Sequence, residues 1–145
     1  MARVSTYLNF PPTPEEAFRF YRSVFRTEFA GPIARFREMP AVPGQPALAA
    51  EDENLVLHVE LPILGGHVLM GTDASESMGF TVTSGNNVYI NLEPDTRPET
   101  DRLFAALAQG GTVEMPLQDM FWGGYFGSLT DRFGIRWMFN CSSKA

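Results

Sequence analysis

Two side chains with acid–base and metal-ligand chemistry, His58 and Glu60, stand two residues apart in the alternating run Leu55-Val-Leu-His-Val-Glu-Leu61. On a strand they share a face, where they could chelate a divalent metal or act as a base with its orienting carboxylate. A complete site needs a third partner, and the other histidine, His67, belongs to the next extended segment beside a turn. The plainer reading places Leu55, Leu57, Val59 and Leu61 on the core and turns His58 and Glu60 to solvent or to a partner subunit. A second concentration of useful chemistry lies late in the chain, where Phe121, Trp122, Tyr125, Phe126, Trp137 and Phe139 crowd around Gly123-Gly124 and Gly127. Rings separated by glycines suit the wall of a ligand cavity, with Phe121, Trp122 and Tyr125 as candidates for stacking. Asp119 could pair with a cationic ligand or an arginine, and the amides of Asn9 and Asn91 need partners that a ligand could supply.

Several chemistries are excluded. A single cysteine, Cys141, can form neither an internal disulfide nor a multi-thiolate metal site, and suits a reducing compartment. Ten of the eleven basic residues are arginine; Lys144 is the one lysine, which leaves no candidate for a Schiff base inside the fold. There is no Gly-x-Ser-x-Gly elbow, no His-Glu-x-x-His pair and no phosphate loop. Seventeen acidic residues give a net charge of −6, which repels nucleic-acid phosphates and anionic lipid, so neither nucleic acid nor membrane is expected as a partner. No apolar run approaches the ~18 residues needed to span a bilayer and no leader pattern opens the chain, so the expected location is cytoplasmic.

The 145 residues, 44% of them apolar and 19% charged, suit one domain of ordinary size. Val4 to Phe10 reads as a strand ended by Pro11-Pro12. Thr13 then serves as an N-cap, Pro14 as the first helical residue, and Ala17, Phe18, Tyr21, Val24 and Phe25 recur at helical spacing. An extended segment over 29–39, a Pro/Gly/Ala loop over 40–52, and strands over 55–61 and 67–72 follow, the last two joined at Gly65-Gly66. The second half repeats that order. Val88 to Leu92 is a strand, Pro98-Glu99 opens a helix that Gly110-Gly111 ends, and extended segments cover 112–117, 125–129 and 135–141. Superposing Pro14-Glu15 on Pro98-Glu99 carries Phe20 onto Phe104. The chain therefore divides into a βαβββ module over 1–73, a connector over 74–87 and a second module over 88–145.

Two such modules resemble the glyoxalase, bleomycin-resistance and dioxygenase superfamily, the vicinal oxygen chelate proteins. The closing segment from Gly111-Thr-Val-Glu-Met-Pro through Met120-Phe-Trp-Gly-Gly and Asp131-Arg-Phe-Gly-Ile-Arg-Trp-Met-Phe-Asn140 is similar to the signature of its PhnB-like branch, as is the opening Tyr7-Leu-Asn-Phe with Ala17-Phe-Arg-Phe-Tyr21. The resemblance implies an α+β fold, two tandem βαβββ modules with curled mixed sheets around a cavity, and a second subunit completing the assembly. It also implies four strand positions that hold a divalent cation in the active relatives. Matched to this chain they fall on Thr6, near Met70, near Val88 and on Met138, a set no hard cation can use.

The resulting expectation is a metal-free small-molecule-binding protein, a homodimer, with Trp122, Tyr125, Phe121, His58, Glu60, Met70, Asn91 and Met138 as candidate ligand contacts, no catalytic residue and no cofactor. Two alternatives stand beside it: a metal-dependent lyase, isomerase or dioxygenase using His58 and Glu60 with a divalent ion, and an interaction module whose cavity is filled by its own side chains. PhnB-like proteins are sometimes called methyltransferases. That role normally needs a glycine-rich turn between a strand and a helix at the start of a parallel sheet, whereas the glycine pairs here fall at a hairpin, a helix end and an aromatic turn.

Overall fold

A computed structural model describes residues 2–12, 14–40, 43–44 and 48–145. The N-cap expected at Thr13 lies outside the described residues. The chain forms two compact units, 1–83 and 84–145. The segment expected to be a connector thus divides, 74–83 going with the first unit. Ala74 and Ser75 are buried there, the Ala74 amide donates to the Phe10 carbonyl, and the Ser77 hydroxyl donates to the Asp52 carboxylate.

In the first unit the order is β1 (Thr6–Phe10), α1 (Pro14–Phe25), β2 (Ala34–Arg35), β3 (Val56–Pro62) and β4 (Val68–Asp73). The strands form a mixed sheet in the order β1-β4-β3-β2, with β1 parallel to β4 and the other pairs antiparallel. The second unit repeats this with β5 (Ile90–Leu92), α2 (Arg97–Ala108), β6 (Thr112–Asp119), β7 (Tyr125–Thr130) and β8 (Arg136–Cys141), in the order β5-β8-β7-β6 with β5 parallel to β8. The fold is α+β, and the internal repeat extends to strand order and direction.

Each sheet has a helix on one face, and the apolar spacing of the sequence decides which. Ala17, Phe18, Tyr21, Val24 and Phe25 of α1 are all buried, along with Leu8, Phe10, Val59, Leu61 and Leu69 of the strands. Phe18 meets Phe10 and Tyr21 edge to face, with centroids 6.1 and 5.8 Å away. Its ring also lies so close to Gly71 that a Cβ there would fall 2.4 Å from Phe18 Cε2. In the second unit Leu103 and Leu107 of α2 bury with Leu129, Trp137 and Phe139. Thr96 caps α2 by accepting from the Glu99 amide, and Gly110, at φ 73°, ends it. Gly65 and Gly66 take φ of 68° and 80° in the turn between β3 and β4, the backbone that glycine alone adopts freely.

Three expectations need correction. Of the extended segment over 29–39 only Ala34–Arg35 is strand, because Phe36–Glu38 closes into a 3-10 turn. The strand expected over Val88–Leu92 begins at Ile90, leaving Val88 72% exposed. In β3 Val56 is buried while Leu55 and Leu57 are only half-buried. The cause is a bulge: Ala34 opposes His58 but Arg35 opposes Val56, so Leu57 is an extra residue and the alternation reverses across it.

Candidate functional site

Side chains alternate along a strand, so the residues that touch a helix fix which ones line the opposite, open face. Gly71, against Phe18 of α1, pairs with Leu8 and Val59; the next row, Tyr7, Met70 and Glu60, therefore faces away from α1. Thr6 is out of step with that row, pairing with Leu69, and its hydroxyl lies 2.9 Å from His67 Nε2. The open-face residue of β1 beside Met70 is thus Tyr7, one residue from the position reached by counting from the Phe20-Tyr21 landmark. The alternation of buried Leu8 and Phe10 carried that signal.

On this face His58 and Glu60 do come together. His58 Nε2 is 3.5 Å from Glu60 Oε2, and the other Glu60 oxygen accepts from Arg3 at 3.2 Å. The Tyr7 hydroxyl lies 3.5 Å from His58 Nδ1, and the Ser5 hydroxyl donates to the Met70 sulfur at 3.7 Å. His67, bound to Thr6, is not part of this group.

In the second unit a Cβ on Gly127 would lie 3.0 Å from Phe104 of α2, so Gly127 and its partner Phe139 face the helix. The open-face row is then Asn91, Met138 and Ser128, with Phe126 and Asn140 beside it. Asn91 is exposed and Met138 half-buried. Phe121 is 97% and Trp122 51% exposed, stacked edge to face with centroids 5.1 Å apart. Trp122 meets Phe126 in the same way at 5.9 Å. Trp122 Nε1 and Asn140 Oδ1 both lie over Gly124, within 2.5 and 2.7 Å of where a Cβ would stand. Only glycine permits that closeness. Asn140 Oδ1 is buried without a hydrogen-bond partner, an unsatisfied acceptor that a ligand donor would relieve. Nothing but its alternation with Phe139 marked Asn140 in the sequence.

Tyr125 is on the other side. It shares the register of Gly127, its hydroxyl donates to Asp101 of α2 at 2.6 Å, and the Arg97 guanidinium stands 4.5 Å above its ring. The Asp101 bond, with burial, pushes the Tyr125 phenol above its ordinary value. Arg97 also pairs with Asp119 through both terminal guanidinium nitrogens, which holds that carboxyl below its usual range. Asp119 therefore has its arginine within the chain. Tyr125 and Trp122, three residues apart, are placed on opposite faces by the turn at Gly123, φ 93°.

A divalent metal of the kind the fold family uses does not fit the open-face rows. In both units the central position is a methionine, a soft thioether with no preference for hard cations, flanked by Tyr7 in one and Asn91 in the other. Glu60, the carboxylate in the row, already has Arg3 for its cation. Among the described residues no group of three or more His, Cys, Asp or Glu is placed to hold a metal.

Two sheets of this topology in one chain, each with one helix-covered and one open face, define a class, and sequence similarity defines the family within it. A family model described as 3-demethylubiquinone-9 3-methyltransferase matches residues 2–139, and the chain belongs to that family. It is similar to protein PA1353 from Pseudomonas aeruginosa, 32% identical with a TM-score of 0.80 over 97% of this chain and 98% of that one. The PhnB protein of Bacillus cereus is 29% identical with a TM-score of 0.74, over 97% and 99% of the two chains. A glyoxalase/bleomycin resistance protein/dioxygenase family enzyme from Burkholderia phytofirmans PsJN shares the fold at 20% identity, TM-score 0.62, over 95% and 98%. Among the described residues no helix is long and apolar enough to cross a membrane.

Proposed function

We propose that this chain is a metal-free, cytoplasmic small-molecule-binding protein that works as a homodimer and needs no cofactor. The observation that carries the reading is the matched pair of open-face rows, Tyr7–Met70–Glu60 and Asn91–Met138–Ser128, each centred on a methionine thioether, with Glu60 as their one carboxylate and Arg3 already paired to it. Beside the second row, Trp122, Phe126 and the unsatisfied Asn140 oxygen suit an aromatic or apolar compound that carries one hydrogen-bond donor. Phe121, with Val113 and Met115 at 44% and 36% exposure, offers apolar area for a second copy to cover.

The metal-dependent alternative has one point in its favour, the closeness of His58 and Glu60. Against it, the Arg3 guanidinium supplies the positive charge that a metal would bring to Glu60. The family's description names a methyl transfer. The link from β1 to α1 begins Pro11-Pro12, however, rather than with the glycine-rich turn that methyl-donor cofactors generally use.

The test is retention from a pool of bacterial metabolites, read by native mass spectrometry of untagged protein. The wild type should keep an aromatic compound through buffer exchange, and Trp122→Ala should weaken retention at least about tenfold, the loss of one stacking contact of ~1.4 kcal/mol. Equal retention by the variant would remove this surface from the account.

A further inference from the structure

On the open face of the first sheet, four polar side chains stand in one line, Arg3 and Tyr7 from the start of the chain and His58 and Glu60 from β3. Glu60 sits at one end of the His58 ring and the Tyr7 hydroxyl at the other, with the two rings tilted by 33° and 5.8 Å apart. A carboxylate can only accept, so the imidazole tautomer that suits Glu60 carries its proton on Nε2 and turns the Nδ1 lone pair to Tyr7. Arg3 on the far side of Glu60 completes the line. The strand partners of the pair are uncharged: Ala34 of β2 lies opposite His58, and Met70 of β4 lies opposite Glu60. Tyr7 is 49% exposed and the His58 side chain 38%, so both can meet a molecule from solution.

We infer that Tyr7, His58 and Glu60 form a proton-accepting subsite that takes a small molecule with a mildly acidic hydroxyl, a phenol or an enol, and holds it as its anion. The inference rests on the binding reading above and names a ligand class for it. In the transfer, the O–H bond of the ligand breaks and its proton passes to the Tyr7 oxygen; the Tyr7 O–H bond breaks in turn and that proton passes to His58 Nδ1. No oxidant, reductant or other reactant is required. The product is a line of alternating charge, with ligand anion, imidazolium, carboxylate and guanidinium in order and the Tyr7 hydroxyl donating to the ligand. The 3.5 Å separations suit such a relay before loading, since proton-transfer contacts shorten when the reacting group arrives. The class follows from acidity. A carboxylic acid is already ionised near neutrality and has no proton to give, while an aliphatic alcohol is too weak an acid for an imidazole to deprotonate. Phenols and enols lie between.

The experiment uses the full chain and umbelliferone, a fluorescent hydroxycoumarin whose neutral and anionic forms have separate excitation bands, at about pH 7, where the free dye is mostly neutral and an ordinary imidazole mostly unprotonated. The anionic fraction of bound dye should exceed that of free dye, with its ionisation midpoint lowered by about one unit, tenfold in the equilibrium. His58→Gln and Tyr7→Phe should each abolish the shift, with circular dichroism unchanged. Dye bound in its neutral form, or a shift that survives His58→Gln, would overturn the inference. The methyl ether of the same dye has no proton to lose and separates the two levels: if it binds while umbelliferone gains no anion, the relay is refuted and the binding surface stands. If neither compound binds, the relay is refuted for this ligand class and the binding reading is weakened with it.

Discussion

Two charged side chains outside the candidate sites hold the structure together in ways that can be measured. Glu15 accepts from Arg35 and from Arg19, and these bonds lower its carboxyl from 4.5 to about 2. A lowered folded-state value means that the stabilisation is complete above the unfolded value and disappears as pH falls from 4.5 through about 2. Because Glu15 remains a third exposed, roughly 1 kcal/mol is expected. Glu15→Gln should therefore unfold at lower urea than the wild type at pH 7, and the two curves should converge near pH 2. Asp131 is buried and accepts from the Phe133 and Ile135 amides and from Trp137 Nε1. Asp131→Ala strands these donors and should cost about 3 kcal/mol by chemical denaturation, more than any exposed ion pair here. The extended segments read over 125–129 and 135–141 leave 130–134 between them as a turn, where Gly134 takes φ 87°. That Asp131 also anchors a buried tryptophan was not visible, because the partner is set by how β8 returns to the core. The same limit applies at Tyr125, whose aromatic neighbours suggested a cavity wall while its hydroxyl is committed to Asp101.

The elements themselves were largely legible. Apolar spacing at 17, 18, 21, 24 and 25 places one face of α1 on the sheet, and each of those residues is buried. The repeat was visible as an order of elements and is present as an order of strands. What could not be read was register, because alternation gives relative parity and not its origin. A one-residue slip moved the β1 position from Tyr7 to Thr6, and the bulge at Leu57 put Val56 on the core in place of Leu55 and Leu57, while Val59 and Leu61 are buried as expected. Edge strand β6 carries two further irregularities in its pairing with β7, between Val113 and Met115 and between Met115 and Gln118, and has Pro116 within it. Such an edge resists addition of another strand, so a partner copy is expected to cover side chains of β6 rather than extend its ladder. Helix and sheet approach closely at Gly71. Gly71→Ala would drive a methyl into the Phe18 ring and should cost about 2 kcal/mol, seen as a lower denaturation midpoint with an unchanged far-ultraviolet spectrum.

For the whole molecule, membership of the family accounts for the fold and leaves function to the side chains. The proposed dimer predicts sedimentation at twice the chain mass in the micromolar range, and Phe121→Asp should shift that equilibrium at least about tenfold toward monomer. Sedimentation as a monomer at all concentrations would leave Phe121 and β6 without the proposed partner. The central claim, that these open faces bind a compound without a metal, is tested most directly by elemental analysis of untagged protein purified without chelators. The account predicts well below one divalent ion per chain, with no change in retained compound after dialysis against a chelator. One tightly held zinc, nickel, manganese or iron per chain, lost together with the bound compound, would contradict it.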